Sequence, residues 1–174
     1  VNMTQKRILV ANRGEIALRI IRSAKEMGLY TIAVYSDADE DALHTKRADE
    51  SYYLGGSLPA ESYRNLKKLV KAADETNADL VHPGYGFLAE NADFAKAIEK
   101  KGITWVGPKP ETIKSMGDKI ESRKLVSKIG LNPVPGQLKP SRFQRDAIKD
   151  ADSFGYPVAL KAAHGGGGKG LRIV

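Results

Sequence analysis

A run of four glycines, Gly165–Gly168, precedes Lys169 near the end of the chain. The backbone N–H groups of glycine approach an anion closely because no Cβ shields them, so such a run is typical of a phosphate-binding loop. It is not a P-loop of the form G-x-x-x-x-G-K-[ST], because Ala163 stands at the first glycine position and Gly170 follows the lysine. The flanking stretches "PVALKAA" and "LRIV" have the apolar character of strands. We therefore expect a hairpin whose glycine tip closes over a phosphate, with a mobile tip that binds nothing as the alternative.

Two lysines are candidates for contacts with that phosphate. Lys161 interrupts the apolar stretch "PVALKAA", and a lysine there must reach a partner or leave the interior, because burying a bare ammonium group is costly. A nucleotide phosphate is a suitable partner. Lys119, in "MGDK", is a second candidate cation, although by itself it has the pattern of an ordinary surface lysine.

The stretch "HPGYGFLAEN" places His82, Tyr85, Glu90 and Asn91 after the apolar run "DLVH". If that run is a strand of a parallel sheet, the stretch lies at the carboxyl edge, where open α/β sheets bind ligands. The alternative is a Pro-Gly turn that leads into a helix capped by Asn91. His82 alone is more typical of a hydrogen-bonded structural histidine than of a ligand.

The loop "NRGE" follows the first apolar run, where a dinucleotide-binding fold carries G-x-G-x-x-G. Only Gly14 is present there, and it is typical of a tight turn. Asp37 follows the second apolar run, where an acid would bind a ribose. Without the other glycines, this pattern disfavours dinucleotide binding.

The elements that must position these residues alternate between apolar runs and helical periodicity. The strand-like runs are "RILVA", "YTIAVY", "SYYL", "DLVH" and "ITWV". Ile16, Ala17, Ile20, Ile21 and Ala24 recur at helical spacing between the first two, which predicts βαβ units and an α/β fold with an open parallel sheet. We expect a Rossmann-like domain over residues 1–106, a helical linker over 107–135, and the start of a second subdomain over 136–174.

Composition limits the classes of function. The net charge is +7, but the basic stretches lack interleaved aromatic residues, so we predict no nucleic-acid binding. No apolar run approaches the roughly 20 residues that span a bilayer, and the N-terminus has no apolar signal core. The chain has no cysteine. We expect a cytoplasmic protein without disulfides, or a mitochondrial matrix protein if it is eukaryotic.

Five stretches in order resemble the N-terminal part of the biotin carboxylase family, within the ATP-grasp enzymes. They are "ILVANRGEIALRIIRSAKEMG", "IAVYSDADEDALHTKRADE", "HPGYGFLAEN", "GPKPETIKSMGDK" and "YPVALKAAHGGGGKGLRIV". The resemblance implies a Rossmann-like domain followed by the start of an ATP-grasp lid subdomain. It also implies a ligase that uses ATP, Mg²⁺ and bicarbonate to form carboxyphosphate and to carboxylate biotin on a carrier protein.

The resemblance assigns roles by position. Lys119 and Lys161 would contact the ATP phosphates, and Gly167 and Gly168 would lie in the lid over them. Tyr85 and Glu90 would lie near biotin and bicarbonate. Arg22 and Glu26 are candidates for a homodimer interface, with a helical surface ion pair as the alternative. Further implied partners are a biotin carboxyl carrier and a carboxyltransferase.

In this family the magnesium ligands, the adenine contacts and the catalytic base lie beyond the lid, and this chain ends at Val174. We therefore expect no catalytic or metal-binding residue here and predict an N-terminal fragment that is inactive alone. We expect "KAAHGGGGKGLRIV" to be its least ordered part or to pack against a neighbouring molecule. The alternatives are a folding or dimerisation module and part of another ATP-grasp ligase. The final acceptor, pyruvate or an acyl-CoA, is left open.

Overall fold

The computed structural model describes residues 5–117, 119–137, 139–161 and 170–174, with the Lys119 side chain excluded. The chain divides into two compact units, residues 1–114 and 115–174. The division predicted from the sequence, at residues 106 and 135, stays a prediction. Each unit is described by itself below.

The first unit contains a five-stranded sheet in which each strand pairs in parallel with its neighbours. The strand order is β3-β2-β1-β4-β5. The strands are β1 Arg7–Val10, β2 Tyr30–Ser36, β3 Glu50–Gly55, β4 Leu80–His82 and β5 Thr104–Trp105. The predicted α/β fold with an open parallel sheet is thereby confirmed.

Helices cover both faces of this sheet. They are α1 Gly14–Glu26, α2 Leu43–Arg47, α3 Leu66–Glu75 and α4 Ala92–Lys100, and α5 Pro110–Gly117 extends across the boundary between the units. Helix α1 packs on one face, and α3 and α4 pack on the other. Successive residues of β1 follow this division, since Val10 joins the core under α1 while Leu9 and Ala11 join the larger core under α3 and α4.

The start and end of the helices follow local sequence signals. Asn91 caps α4, because its side-chain oxygen accepts a hydrogen bond from the Phe94 backbone N–H over 2.8 Å. Asn65 caps α3 in the same way through Lys68 N–H, over 3.2 Å. The chain leaves α1 through Gly28, whose φ of +75° is the left-handed conformation that glycine adopts at low cost. These signals fix where each helix begins relative to the sheet edge.

The second unit contains α6 Lys119–Lys128, α7 Gln144–Phe154, and the strands β6 Ala159–Lys161 and β7 Leu171–Ile173. The two strands pair antiparallel, with Ala159 opposite Ile173 and Lys161 opposite Leu171. This is the strand pair that the sequence predicts on either side of the glycine run.

The structure also contains elements that the sequence analysis did not identify. They are α2 and two 3₁₀ turns, Asp37–Asp39 and Pro59–Glu61. Within the described residues, no helix is both long enough and apolar enough to cross a membrane.

Candidate functional site

The loops that follow β1 and β4 meet at the carboxyl edge of the sheet. Strand β1 is central, and the chain proceeds from it to β2 on one side and later to β4 on the other. Open α/β sheets bind ligands where the connections diverge in this way. In this protein the loops are residues 11–13 and 83–91, so the predicted "HPGYGFLAEN" stretch lies at this position.

Asn12 connects the two loops. It is buried, at 2% exposure. Its Nδ2 donates hydrogen bonds to the carbonyl oxygens of Pro83, over 2.7 Å, and Tyr85, over 2.8 Å. Next to it, Ala11 N–H donates to the His82 carbonyl over 2.9 Å. The Asn12 side chain therefore lies between the two loops and hydrogen-bonds them together.

Tyr85 and Glu90 both lie on the surface of the first unit. The Tyr85 side chain is 62% exposed, and its hydroxyl donates a hydrogen bond to Glu15 in the first turn of α1. That hydrogen bond raises the pKa of Tyr85. Glu90 is exposed immediately before the Asn91 cap. Both alternatives for this stretch are therefore compatible with the structure, because it is a capped turn whose side chains remain accessible.

His82 is half-buried at the end of β4. Its Nδ1 accepts a hydrogen bond from Gly84 N–H over 3.0 Å, which requires the proton of the neutral ring to reside on Nε2. Burial lowers the pKa of His82. The histidine holds the Pro-Gly turn, as expected for a structural residue.

Arg13 and Asp39 form an ion pair at the same carboxyl edge, after the ends of β1 and β2. The Arg13 guanidinium donates two hydrogen bonds to the buried Asp39 carboxylate, and Tyr63 Oη donates a third to it over 2.6 Å. The Ser36 backbone N–H donates to Tyr63 Oη over 3.1 Å. The hydrogen bonds from Arg13 hold the pKa of Asp39 below its usual value. Burial, with the hydrogen bond to Asp39, raises the pKa of Tyr63 to about 12.

This ion pair was not identified from the sequence, which singled out Asp37 instead. Asp37 accepts a hydrogen bond from the Tyr53 hydroxyl at the surface. The signal for the true pairing was present, since Arg13 and Asp39 both follow the carboxyl ends of neighbouring parallel strands. Whether Asp37 or Asp39 pairs with Arg13 depends on the 3₁₀ turn Asp37–Asp39. The residues "SDADE" do not clearly predict that turn.

His44 is a further buried group near this ion pair. It is 1% exposed, and its Nε2 lies 3.2 Å from the Val34 carbonyl oxygen, to which it donates. Its Nδ1 has no hydrogen-bond partner among the described residues. Burial lowers the pKa of His44 below its usual value. The side chain is therefore a neutral part of the core, and only the fold reveals it, because α2 was not predicted.

The predicted phosphate contacts lie in the second unit. Lys161 is exposed on β6, so it avoids burial, as expected of a lysine in an apolar strand. It lines an open groove of about 1160 Å³ that also has Arg123, Lys139 and Arg172 on its walls. Lys119 begins α6, but its side chain lies outside the described residues.

The glycine run lies outside the described residues, as do Gly167 and Gly168. The prediction that this stretch is the least ordered part of the chain therefore stays a prediction. In the described parts of both units, no three His, Cys, Asp or Glu side chains form a group that could hold a metal ion.

Arg22 and Glu26 lie on the exposed side of α1. Arg22 Nε is 4.0 Å from Glu26 Oε1, with side-chain exposures of 75% and 71%. Such an i,i+4 pair contributes little to the stability of a monomer. Both side chains remain accessible to a second molecule.

The strand order and the helices on both faces place the first unit among α/β proteins with an open parallel sheet. Residues 4–113 match the family model described as "Biotin carboxylase, N-terminal domain". Residues 118–174 match "Carbamoyl-phosphate synthase L chain, ATP binding domain". The chain belongs to the biotin carboxylase family, as the resemblance in its sequence predicted.

Its relatives include a biotin carboxylase from Pseudomonas aeruginosa, 48% identical over 97% of this chain and 38% of the relative. A biotin carboxylase–β,γ-ATP complex from Campylobacter jejuni superposes with a TM-score of 0.92 at 45% identity, covering 99% of this chain and 39% of the other. A second solved structure is the biotin carboxylase domain dimer of Hydrogenobacter thermophilus 2-oxoglutarate carboxylase in complex with MgADP, ADP and bicarbonate. It superposes with a TM-score of 0.91 at 47% identity, covering 97% of this chain and 37% of the other. The chain spans between 14% and 38% of the length of its curated relatives.

Proposed function

We propose that this chain supplies the Rossmann-like domain and the first part of the ATP-binding domain of an ATP-dependent biotin carboxylase. The observation that carries the proposal is the likeness to the Campylobacter jejuni complex, at 45% identity over 99% of the chain. The two family models match in the order expected for this enzyme. The match to the N-terminal domain supports the assignment of the first unit, and the match to the ATP-binding domain supports that of the second.

The proposed reaction has two steps. A bicarbonate oxygen attacks the γ-phosphorus of ATP, the bond to ADP breaks, and carboxyphosphate forms. The N1′ atom of biotin then loses its proton and bonds to the carboxyl carbon, while phosphate leaves. Positioning and charge neutralisation dominate the catalysis of phosphoryl transfer, and the exposed cations of the second unit suit that task.

In this proposal the residues divide between ATP on the one hand and biotin with bicarbonate on the other. Lys119 and Lys161 contact the ATP phosphates, and Gly167 and Gly168 donate backbone N–H groups from the lid. The exposed Tyr85 ring and the Glu90 carboxylate face biotin and bicarbonate. The magnesium ligands and the base that deprotonates biotin belong to residues outside this chain, and the cytoplasmic location stays a prediction.

Fixation of radiolabelled bicarbonate onto free biotin, with ATP, tests this activity in the full protein. We expect biotin-dependent fixation that falls at least roughly 10-fold in Lys161→Gln, because a charge that neutralises phosphate is lost. Lys149→Gln, on the exposed surface of α7, serves as the matched control. Absence of fixation by the full protein would refute the proposed function.

The 174-residue chain alone is expected to show no bicarbonate-dependent ATP hydrolysis. Turnover above background by the purified chain would contradict the division of residues proposed above. The measurement therefore separates two questions, namely whether the reaction is correct and whether this chain is sufficient for it.

A dimer of this chain is a second proposal, with Arg22 and Glu26 at its interface. It is supported by the exposure of both side chains and by the dimeric biotin carboxylase domain from Hydrogenobacter thermophilus.

Sedimentation velocity at several concentrations tests the proposed dimer. We expect Arg22→Glu to shift the chain toward monomer, whereas the control Lys67→Glu on α3 does not. A wild-type chain that is monomeric at all concentrations would refute both the dimer and the idea of a dimerisation module. The proposed binding of a biotin carboxyl carrier and of a carboxyltransferase depends on detection of the biotin carboxylase activity in the full protein.

A further inference from the structure

The loop that carries Tyr85 is held from the β1 side by the Asn12 side chain. Its Nδ2 has two protons, and each of the carbonyl groups of Pro83 and Tyr85 accepts one of them. Its Oδ1 accepts the backbone N–H of Arg13 over 2.9 Å. One buried amide thereby satisfies three backbone groups in two separate loops.

The orientation of this amide is determined by its partners. Carbonyl oxygens only accept hydrogen bonds and a backbone N–H only donates, so exchanging Oδ1 and Nδ2 would place like groups against each other at all three contacts. Aspartate at position 12 would have the same shape but no donor. Its carboxylate would face two carbonyl oxygens, and both hydrogen bonds from position 12 to the loop would be lost.

Gly84 packs directly on this amide. Its φ is +65°, and a Cβ added at this position would lie 2.8 Å from Asn12 Nδ2 and 3.2 Å from Ile16 Cγ1. The turn therefore depends on both residues, since glycine permits the conformation and leaves room for the asparagine. Substitutions at positions 12 and 84 act on the same contact and should not be energetically independent.

The opposite side of the loop is fixed by an aromatic contact. The Phe87 ring stacks on Tyr63 with centroids 5.3 Å apart and an interplanar angle of 17°. Tyr63 is in turn hydrogen-bonded to Asp39. The Tyr85 main chain is thus held between a hydrogen-bonded amide on one side and a stacked pair on the other, while its ring remains exposed.

We propose that Asn12 is a positioning residue for Tyr85, and that it acts on binding of the biotin substrate and not on ATP. The inference rests on the proposed function, which assigns Tyr85 to the biotin side. A loop freed from Asn12 must be ordered when biotin binds, so biotin affinity falls, whereas the ATP contacts belong to the second unit. The expected signature is a raised KM for biotin with kcat and the KM for ATP unchanged.

Steady-state kinetics of the full protein, with free biotin and ATP varied separately, provide the first test. We expect Asn12→Asp to raise the KM for biotin roughly 10-fold, as for the loss of one or two buried hydrogen bonds. Thr31→Val is the control, because Thr31 is also buried and hydrogen-bonded, to Asp49, but lies at the opposite edge of the sheet. Equal changes in both KM values, or no change in either, would overturn the inference.

Amide hydrogen exchange provides a second test that needs no activity. The Gly84 N–H is bonded to His82, and the Ala89 N–H donates to the Gly86 carbonyl, so both report on the order of the loop. We expect exchange at these two amides to accelerate at least roughly 10-fold in Asn12→Asp and to remain unchanged in Thr31→Val. Unchanged exchange at both amides would overturn the role of Asn12 even if no carboxylation is detected, whereas faster exchange in a protein without that activity would refute the proposed function alone.

The contact between positions 12 and 84 permits a third comparison. Gly84→Ala should accelerate loop exchange strongly in the wild-type background, because its methyl group meets the Asn12 amide. In an Asn12→Ala background the contact with the amide is gone, while the strain of the positive φ and the 3.2 Å contact with Ile16 Cγ1 remain, so we expect the added effect of Gly84→Ala to be smaller but not abolished. Strictly additive effects would contradict a shared contact.

Discussion

Tyr63 Oη donates a 2.6 Å hydrogen bond to the buried Asp39 carboxylate and accepts one from the Ser36 backbone N–H. The tyrosine is 2% exposed, so none of these groups has ready access to water. Through the ring of Tyr63, the contact also extends to Phe87 in the loop that carries Tyr85. The Tyr63 side chain therefore connects the end of β2, through its hydroxyl, to the loop of the candidate site, through its ring.

Tyr63→Phe removes this hydroxyl and leaves the Ser36 N–H without an acceptor. Because an unsatisfied buried group costs about 1–3 kcal/mol, we expect the free energy of unfolding in urea to fall by that amount. Tyr30→Phe is the control, since the Tyr30 hydroxyl makes no hydrogen bond within the described ranges. A loss below about 0.5 kcal/mol in Tyr63→Phe would contradict the hydrogen-bond geometry.

Arg13→Ala leaves the Asp39 carboxylate buried without its cation. We expect a loss of about 2–3 kcal/mol in the free energy of unfolding at pH 7, because Tyr63 and Ser36 still donate to the carboxylate. Adding Asp39→Asn should recover part of that loss, as measured in a double-mutant cycle. Arg22→Ala, in the exposed pair with Glu26, should change stability little. Equal losses for Arg13 and Arg22 would contradict the burial of Asp39.

His44 and His82 make the stability depend on pH in the mildly acidic range. Burial lowers the pKa of both, whereas the unfolded histidines titrate near about 6.5. Below that pH the unfolded state binds more protons than the folded state, so the free energy of unfolding decreases as the pH falls from about 7 to about 5. Urea unfolding at several pH values should show this decrease and a shallower one in His44→Gln. The same slope in both proteins would exclude a contribution from His44.

Asn91→Ala removes the cap of α4. Since the lost hydrogen bond to Phe94 N–H is a typical N-cap contact, we expect the free energy of unfolding to fall by about 1 kcal/mol. Asn91→Asp keeps an acceptor at this position and should retain most of the stability. If both substitutions have the same effect, Asn91 stabilises the protein by some means other than capping.

Much of the fold was predictable from local patterns. Strand-length apolar runs separated by helical periodicity specify βαβ units, and in parallel sheets such strands are buried on both faces. Asn91 and Gly28 mark a helix start and a helix end through interactions with their own neighbouring backbone. Because the "HPGYGFLAEN" stretch follows the strand-like run "DLVH", its position at the carboxyl edge was also predictable from the sequence.

The sequence by itself determined the α/β class, the family and the candidate residues on each stretch, because these depend on short-range periodicity and motif order. Tertiary structure decided which distant groups meet, including Asn12 with the carbonyls of Pro83 and Tyr85, and Asp39, not Asp37, with Arg13. The physical reason is that hydrogen bonds between loops more than 20 residues apart depend on strand order and on sub-ångström placement of the turns. Neither is encoded in the residue types of one stretch alone.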